Sequence, residues 1–328
     1  MRHLTAFIAL LILTVTSAHA ADPGGAITVA LLPKKKGIAY FTSCSIGAEE
    51  AAKELGNVKL IYDGPTDGSP EKAAAMIEKW TLKGVDVIAV SPNDPSVLSP
   101  AMKAARAKGI RVITWDADGA PDTRDFFVNQ ATSEQIGSAM VDAMAKDLGT
   151  AEGKIAIITA SLTAANQNAW IEAMKARLTA TYPKLELVAI KPCNEDQKIA
   201  FQVAQDLMKA YPDLKGIFGI SSVAFPGAAE AVKQAGKAGQ VLVTGLSTPN
   251  AMKSYVLDGT VKSVVLWNTK DLGYLTVLAA RALVDGTLKP GVTELKAGRL
   301  GNKPVVGDQV RLNNLLVFTK DNIADHDF

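Results

Sequence analysis

The sequence predicts an α/β fold built as two doubly wound parallel-sheet domains. Three observations lead there. From Ile27 onward, short β-branched or apolar runs alternate with longer segments of helical spacing. The short runs are apolar throughout instead of alternating in polarity, which is the pattern of parallel strands covered on both faces. The chain has 328 residues, and at roughly 100–200 residues per domain that suits two cores better than one.

In chain order, the spacing predicts strands over 27–32, 58–62, 85–90, 111–115, 154–159, 185–190, 216–220, 241–244 and 262–267. Between them it predicts helices over 44–55, 70–83, 97–108, 132–148, 166–182, 197–210, 224–235 and 272–284. Gly56, Gly84, Gly109 and Gly149 stand at helix ends, where the left-handed conformation closes a helix. These strands divide more naturally into two sheets of about five than into one wide sheet. Two domains create a cleft.

Residues 1–20 read as a secretory signal, because Arg2 precedes an apolar run over 4–15 and then Ala18-His19-Ala20. Cleavage after Ala20 is expected, giving an exported, periplasmic chain. No cysteine lies near the cut to carry a lipid, and no later stretch approaches the roughly 20 apolar residues of a membrane span.

Charge and side-chain inventory exclude several functions. With 35 basic and 33 acidic residues the formal charge is +2, without the basic stripe of a nucleic-acid binder. Loss of residues 1–20 would leave His326 as the one histidine, near a C-terminal end expected to be mobile. That supplies neither a nucleophile's base nor a histidine-rich metal site, so no metal, cofactor or catalytic residue is expected. Cys44 and Cys193 lack metal-ligand spacing and read as two buried thiols or a single disulfide. GxGxxG, P-loop and GxSxG motifs are absent.

Ligands of open parallel sheets bind beyond the carboxyl ends of the strands. The loops there carry Lys34, Asp94, Asp116, Asn166, Gln167, Ser222 and Ser247. Carboxylates, amides and hydroxyls suit the hydroxyl rim of a small polyhydroxylated ligand, with hydrogen bonds to ionised groups worth roughly 1.5–3 kcal/mol each. The same residues have structural readings: Asp94 as a helix cap, Asp116 bonding loop amides, and the lysine run simply solvated. Tyr40, Phe41, Trp115 and Trp267 share the general reading that aromatics beside a sheet belong to the core, and Trp115 suits it best. Phe41 and Trp267, beyond strand ends, are the stacking candidates.

The chain resembles the type I periplasmic solute-binding proteins of ABC sugar importers, in the branch holding rhamnose-binding proteins and autoinducer-2 receptors. The resemblance rests on Val29-Ala30-Leu31-Leu32-Pro33-Lys34, Gly47-Ala48 with Ala51-Ala52-Lys53-Glu54-Leu55-Gly56, Val112-Ile113-Thr114-Trp115-Asp116, Asn166-Gln167-Asn168-Ala169-Trp170-Ile171, Leu246-Ser247-Thr248-Pro249-Asn250 and Leu266-Trp267-Asn268. It implies the periplasmic binding protein type I fold, with three chain crossings at a hinge and the ligand in the cleft. The implied domains are 25–128 plus 268–288 and 129–267 plus 289–328.

For autoinducer-2 receptors the resemblance implies a ligand held by a lysine, an aspartate, an Asp-Gln pair, a proline and an alanine. Lys34, Asp116 and Gln167 match, whereas Asn166, Ile220 and Ser222 stand where the acid, the proline and the alanine would be. These departures favour a rhamnose-like deoxyhexose, a pentose or a related polyol, delivered to a membrane permease by a monomeric binding protein. Autoinducer-2 uptake or signalling is the alternative. An exported glycosidase is the rival from another class, with Asp116 and Asp118 as its carboxylates.

Overall fold

A computed structural model describes residues 24–328. The expected signal segment lies outside the described residues. The first half of the chain runs β1 (Ile27–Leu32), α1 (Ala39–Leu55), β2 (Val58–Tyr62), α2 (Pro70–Lys83), β3 (Val87–Val90), α3 (Pro95–Ala107), β4 (Arg111–Trp115), β5 (Phe126–Asn129) and α4 (Ser133–Leu148). The second half continues with β6 (Gly153–Thr159), α5 (Ala165–Thr181), β7 (Leu185–Pro192), α6 (Gln197–Ala210), β8 (Leu214–Gly219), α7 (Ala224–Gln234), β9 (Leu242–Gly245), α8 (Pro249–Leu257), β10 (Val264–Trp267) and α9 (Thr269–Val284). Four short strands complete it: β11 (Glu294–Lys296), β12 (Asn302–Val306), β13 (Gln309–Arg311) and β14 (Leu315–Phe318).

Two main sheets result, as expected, but of eight and four strands instead of about five each, and the first is parallel only from β13 to β2, with β11 and β12 antiparallel at its edge. The first has the order β11-β12-β13-β5-β4-β3-β1-β2, and the second β7-β6-β8-β9. β14 pairs antiparallel with β10, which a bridge between Leu246 and Val265 joins to the end of β9. Local chemistry sets the helix ends. Ser69 caps α2 by accepting the Lys72 N–H, and Thr132 with Gln135 forms a reciprocal capping box on α4. The four expected glycine stops all take positive φ, between 66° and 83°.

Several elements differ from expectation. α1 begins at Ala39 instead of 44, because its start carries no capping side chain to announce it; Ile38 occupies the cap position. Tyr40 and Phe41 are therefore helical. β5 and α8 fall in stretches for which the spacing predicts neither strand nor helix.

The larger correction concerns the tail. The segment 289–328 was expected wholly in the C-terminal domain. Instead, β13 pairs in parallel with β5 through Val310 and Val128, and β12 pairs antiparallel with β13. After α9 the chain thus stays on the first sheet. It leaves beside the first crossing, where the Leu312 and Asn313 amides donate to the Asn129 and Gln130 carbonyls. The third crossing lies there and not at 288–289.

α9 packs against α1 on the first sheet. A Cβ on Gly47 would fall 1.8 Å from the Lys270 carbonyl oxygen, and one on Gly273 would fall 1.8 Å from that of Cys44. Each helix thus places a glycine against the other's backbone. Cys44 and Cys193 are both buried and free. The expectation of a mobile C-terminal end is also corrected: the His326 ring lies 4.7 Å from that of Phe318 and 5.9 Å from that of Phe328.

Candidate ligand-binding site

The strand ends of the two sheets meet around one cavity. β1 delivers Lys34, the first turn of α1 delivers Tyr40 and Phe41, and the end of β4 delivers Asp116. From the facing side come Asn166 and Gln167 in the first turn of α5, Glu195 after β7, Ser221 and Ser222 after β8, and Trp267 at the end of β10. The cavity left between these side chains is small, about 40 Å³, room for a few waters.

Asp116 anchors the first-sheet wall. It is one of few non-glycine residues at positive φ, here 63°, a conformation that aspartate tolerates better than most side chains. Its Oδ1 accepts the Tyr40 hydroxyl at 2.7 Å and its Oδ2 accepts the Ser91 hydroxyl at 2.9 Å. The Lys34 Nζ lies 3.4 Å from the same Oδ2, with both side chains almost completely buried. Gln130 donates to the Asp116 backbone carbonyl at 3.0 Å. Tyr40 in turn accepts the Trp267 indole N–H at 2.9 Å. Burial first, and then the Asp116 charge, push the Tyr40 phenol well above its ordinary value, so it stays a donor.

Lys34 crosses the cleft. Its Nζ donates to Asn166 Oδ1 at 3.0 Å. Ammonium only donates, so the amide oxygen must face Lys34 and the amide N–H₂ is directed elsewhere. Gln167 Oε1 accepts the Thr159 hydroxyl at 2.6 Å and the Ala160 N–H at 2.8 Å, which ties the start of α5 to the end of β6. Lys35 makes a second cross-cleft contact, donating to the Glu195 backbone carbonyl at 2.9 Å.

Glu195 is only 9% exposed, and its Oε2 has no hydrogen-bond partner in the protein. Burial raises its carboxyl above the ordinary range, the nearby Lys34 opposing and Asp116 adding to that rise. Burial likewise raises the Cys193 thiol to about 11, leaving it an un-ionised, inert group.

The cavity gathers Lys34, Phe41, Asp116, Asn166, Gln167, Ser222 and Trp267 of the residues expected to bind ligand. Asp94 lies elsewhere: it caps α3, with Oδ1 accepting the Ser96 N–H at 3.0 Å, the structural reading it always had. Ser247 lines an adjoining outer space of about 440 Å³ and donates to the Ser222 carbonyl at 2.8 Å. Phe41 and Trp267 are nearly fully buried. Phe41 stands edge-on to Trp115 at 5.5 Å, and Trp267 stands edge-on to Tyr40 at 6.1 Å. Trp115 is buried in the core, as expected.

Sequence reasoning missed Glu195 and undervalued Tyr40. Glu195 follows β7 by three residues, so the strand-end rule that found Asp116 could have found it too. Asp118 does not line this cavity with Asp116; Arg124 grips it with Nε at 2.7 Å and a terminal nitrogen at 2.6 Å. Among the described residues no group of three or more His, Cys, Asp or Glu side chains is placed to hold a metal ion.

Relatives share this architecture. A ribose import binding protein of Salmonella typhimurium is 26% identical over 261 residues, spanning 79% of this chain and 85% of the relative. The structure of LsrB from Clostridium saccharobutylicum in complex with AI-2 superposes with a TM-score of 0.88 at 28% identity, covering 92% of this chain and 100% of that one. A solute-binding protein of an ABC transporter from Clostridium phytofermentas with bound L-rhamnose gives 0.87 at 29% identity, covering 92% and 98%. The two-domain fold is that of the type I periplasmic binding proteins. Residues 29–288 match the family model described as a periplasmic binding protein domain: the chain belongs to that family.

Proposed function

We propose that this protein is the periplasmic binding component of an ABC sugar importer, holding a rhamnose-like deoxyhexose, a pentose or a related polyol. One observation carries the reading: a single cavity takes polar side chains from both sheets, Lys34 and Asp116 on one wall and Asn166, Gln167 and Ser222 on the other, with Tyr40, Phe41 and Trp267 beside them. A sugar presents that mixture of apolar face and hydroxyl rim. Contacts from both domains make ligand affinity higher in the closed form than in the open one, so the sugar shifts the population toward closure. A permease can read the closed shape, and no bond in the ligand need change.

The sequence relatives include ribose binders, and the structural relatives include proteins holding L-rhamnose and AI-2. Autoinducer-2 is the second reading, favoured by Lys34, Asp116 and Gln167 standing together on the cavity. Asn166 argues for a sugar, since its amide supplies donors where an acid would supply none.

A thermal-shift screen of L-rhamnose, D-ribose, D-arabinose, xylitol and autoinducer-2 tests the reading, because a ligand of the native state raises its stability by mass action. The expected result is a sugar bound with micromolar or tighter affinity, about −8 kcal/mol. Autoinducer-2 displacing every sugar at lower concentration would decide for the second reading.

A further inference from the structure

We propose that Glu195 is the specificity-determining acceptor of this cavity: its carboxylate takes a hydrogen bond from a ligand hydroxyl on the second-sheet wall and selects sugars that also reach the Asp116 wall opposite. The inference rests on the sugar-binding reading and adds the residue that discriminates among sugars.

Acceptor capacity decides it. An ionised carboxylate offers about four lone-pair sites. Asp116 already serves Tyr40 and Ser91, with Lys34 close by. Gln167 spends its oxygen on Thr159 and Ala160, and Asn166 spends its own on Lys34. Glu195 Oε2 is the one cavity-lining acceptor left buried with no partner. Buried polar atoms in native proteins find partners; the nearby lysines each donate to another atom, Lys34 to Asn166 and Lys35 to the Glu195 main chain, and the Ser221 hydroxyl bears on the same carboxylate without reaching Oε2. Asn194 and Glu195 both hold left-handed backbone, at φ 54° and 50°. Consecutive non-glycine residues adopt it rarely, and such strain gathers at functional sites. Glu195 also lines the outer space as well as the inner cavity, so an entering ligand passes it. The charged groups around it are Lys34, Lys35 and Asp116, with Asp196 following in the chain.

Calorimetry on the full chain tests this, using L-rhamnose, D-ribose and D-arabinose with deoxy analogues of whichever binds. Glu195→Gln preserves shape but exchanges one acceptor oxygen for a donor; its affinity should fall by roughly tenfold or more, and Glu195→Asp should recover part of the loss. One deoxy analogue should be discriminated by the wild type and not by Glu195→Gln, a coupling that a merely structural role would not produce. Equal affinities in wild type and Glu195→Gln, both folded, or equal discrimination of every analogue, would overturn the inference while leaving the sugar-binding reading intact. Failure of the wild type to bind any sugar would overturn both.

Discussion

Tyr40 donates its hydroxyl proton to Asp116 at 2.7 Å, a direction set by the carboxylate, which when ionised can only accept. The Trp267 indole N–H, donor only, reaches the same Tyr40 oxygen at 2.9 Å. A tryptophan at the end of β10 is thereby linked through one hydroxyl to a carboxylate at the end of β4.

Tyr40→Phe removes the middle of this chain and leaves a buried indole N–H without its partner. A stability loss of about 1–3 kcal/mol is expected. Urea denaturation measures it, and an unchanged midpoint would show that the hydroxyl contributes nothing net.

Asp116→Asn separates charge from backbone shape. Asparagine tolerates the positive φ of 63° at this position, so the fold should persist. The variant removes the buried counter-charge of Lys34 and the ionised acceptor. Sugar affinity should drop by roughly 1.5–3 kcal/mol by calorimetry.

Gly273→Ala tests the packing of α9 on α1. The added methyl would meet the Cys44 carbonyl at 1.8 Å, and backbone cannot swing aside as a flexible side chain can. Overpacking of this kind costs about 1–3 kcal/mol or more. Thermal melts should show the loss, and an unchanged melting temperature would show that the two helices can part to admit the methyl.

Stability should also depend on pH through Glu195. Burial raises its carboxyl in the folded protein, so between the ordinary carboxylate range and that raised value the native state holds a proton that the unfolded chain has lost. Stability contributed by this group is complete below the ordinary range and falls as pH rises through the raised value. Relative to Glu195→Gln, the ligand-free wild type should lose ground with rising pH across that window. Parallel stability curves for the two proteins would show no linked titration.

Much of the fold was legible because buried parallel strands write themselves as unbroken apolar runs. β1 and β4 are close to such runs, and their bounds agree with expectation; those of β2 agree too, although it is a half-buried edge strand carrying exposed Lys59. β13 is only Gln-Val-Arg; its pairing with β5 comes from a neighbour distant in the chain, which no local pattern records. The same distinction separates the site residues. Lys34, Asp116 and Gln167 follow strands and were found. Glu195 also follows a strand, but its burial depends on the first sheet closing over it, and the sequence around it reads as an ordinary polar turn.

The tail hairpin has a consequence for self-association. A sheet edge with free N–H and C=O groups can recruit a strand from another molecule. The outer edge of the first sheet ends in β11, three residues long, with Glu294 and Lys296 exposed on either side of buried Leu295. An incoming strand would find little length to grip and a charge at each end, so the returning hairpin acts as a guard against fibrous growth from that edge.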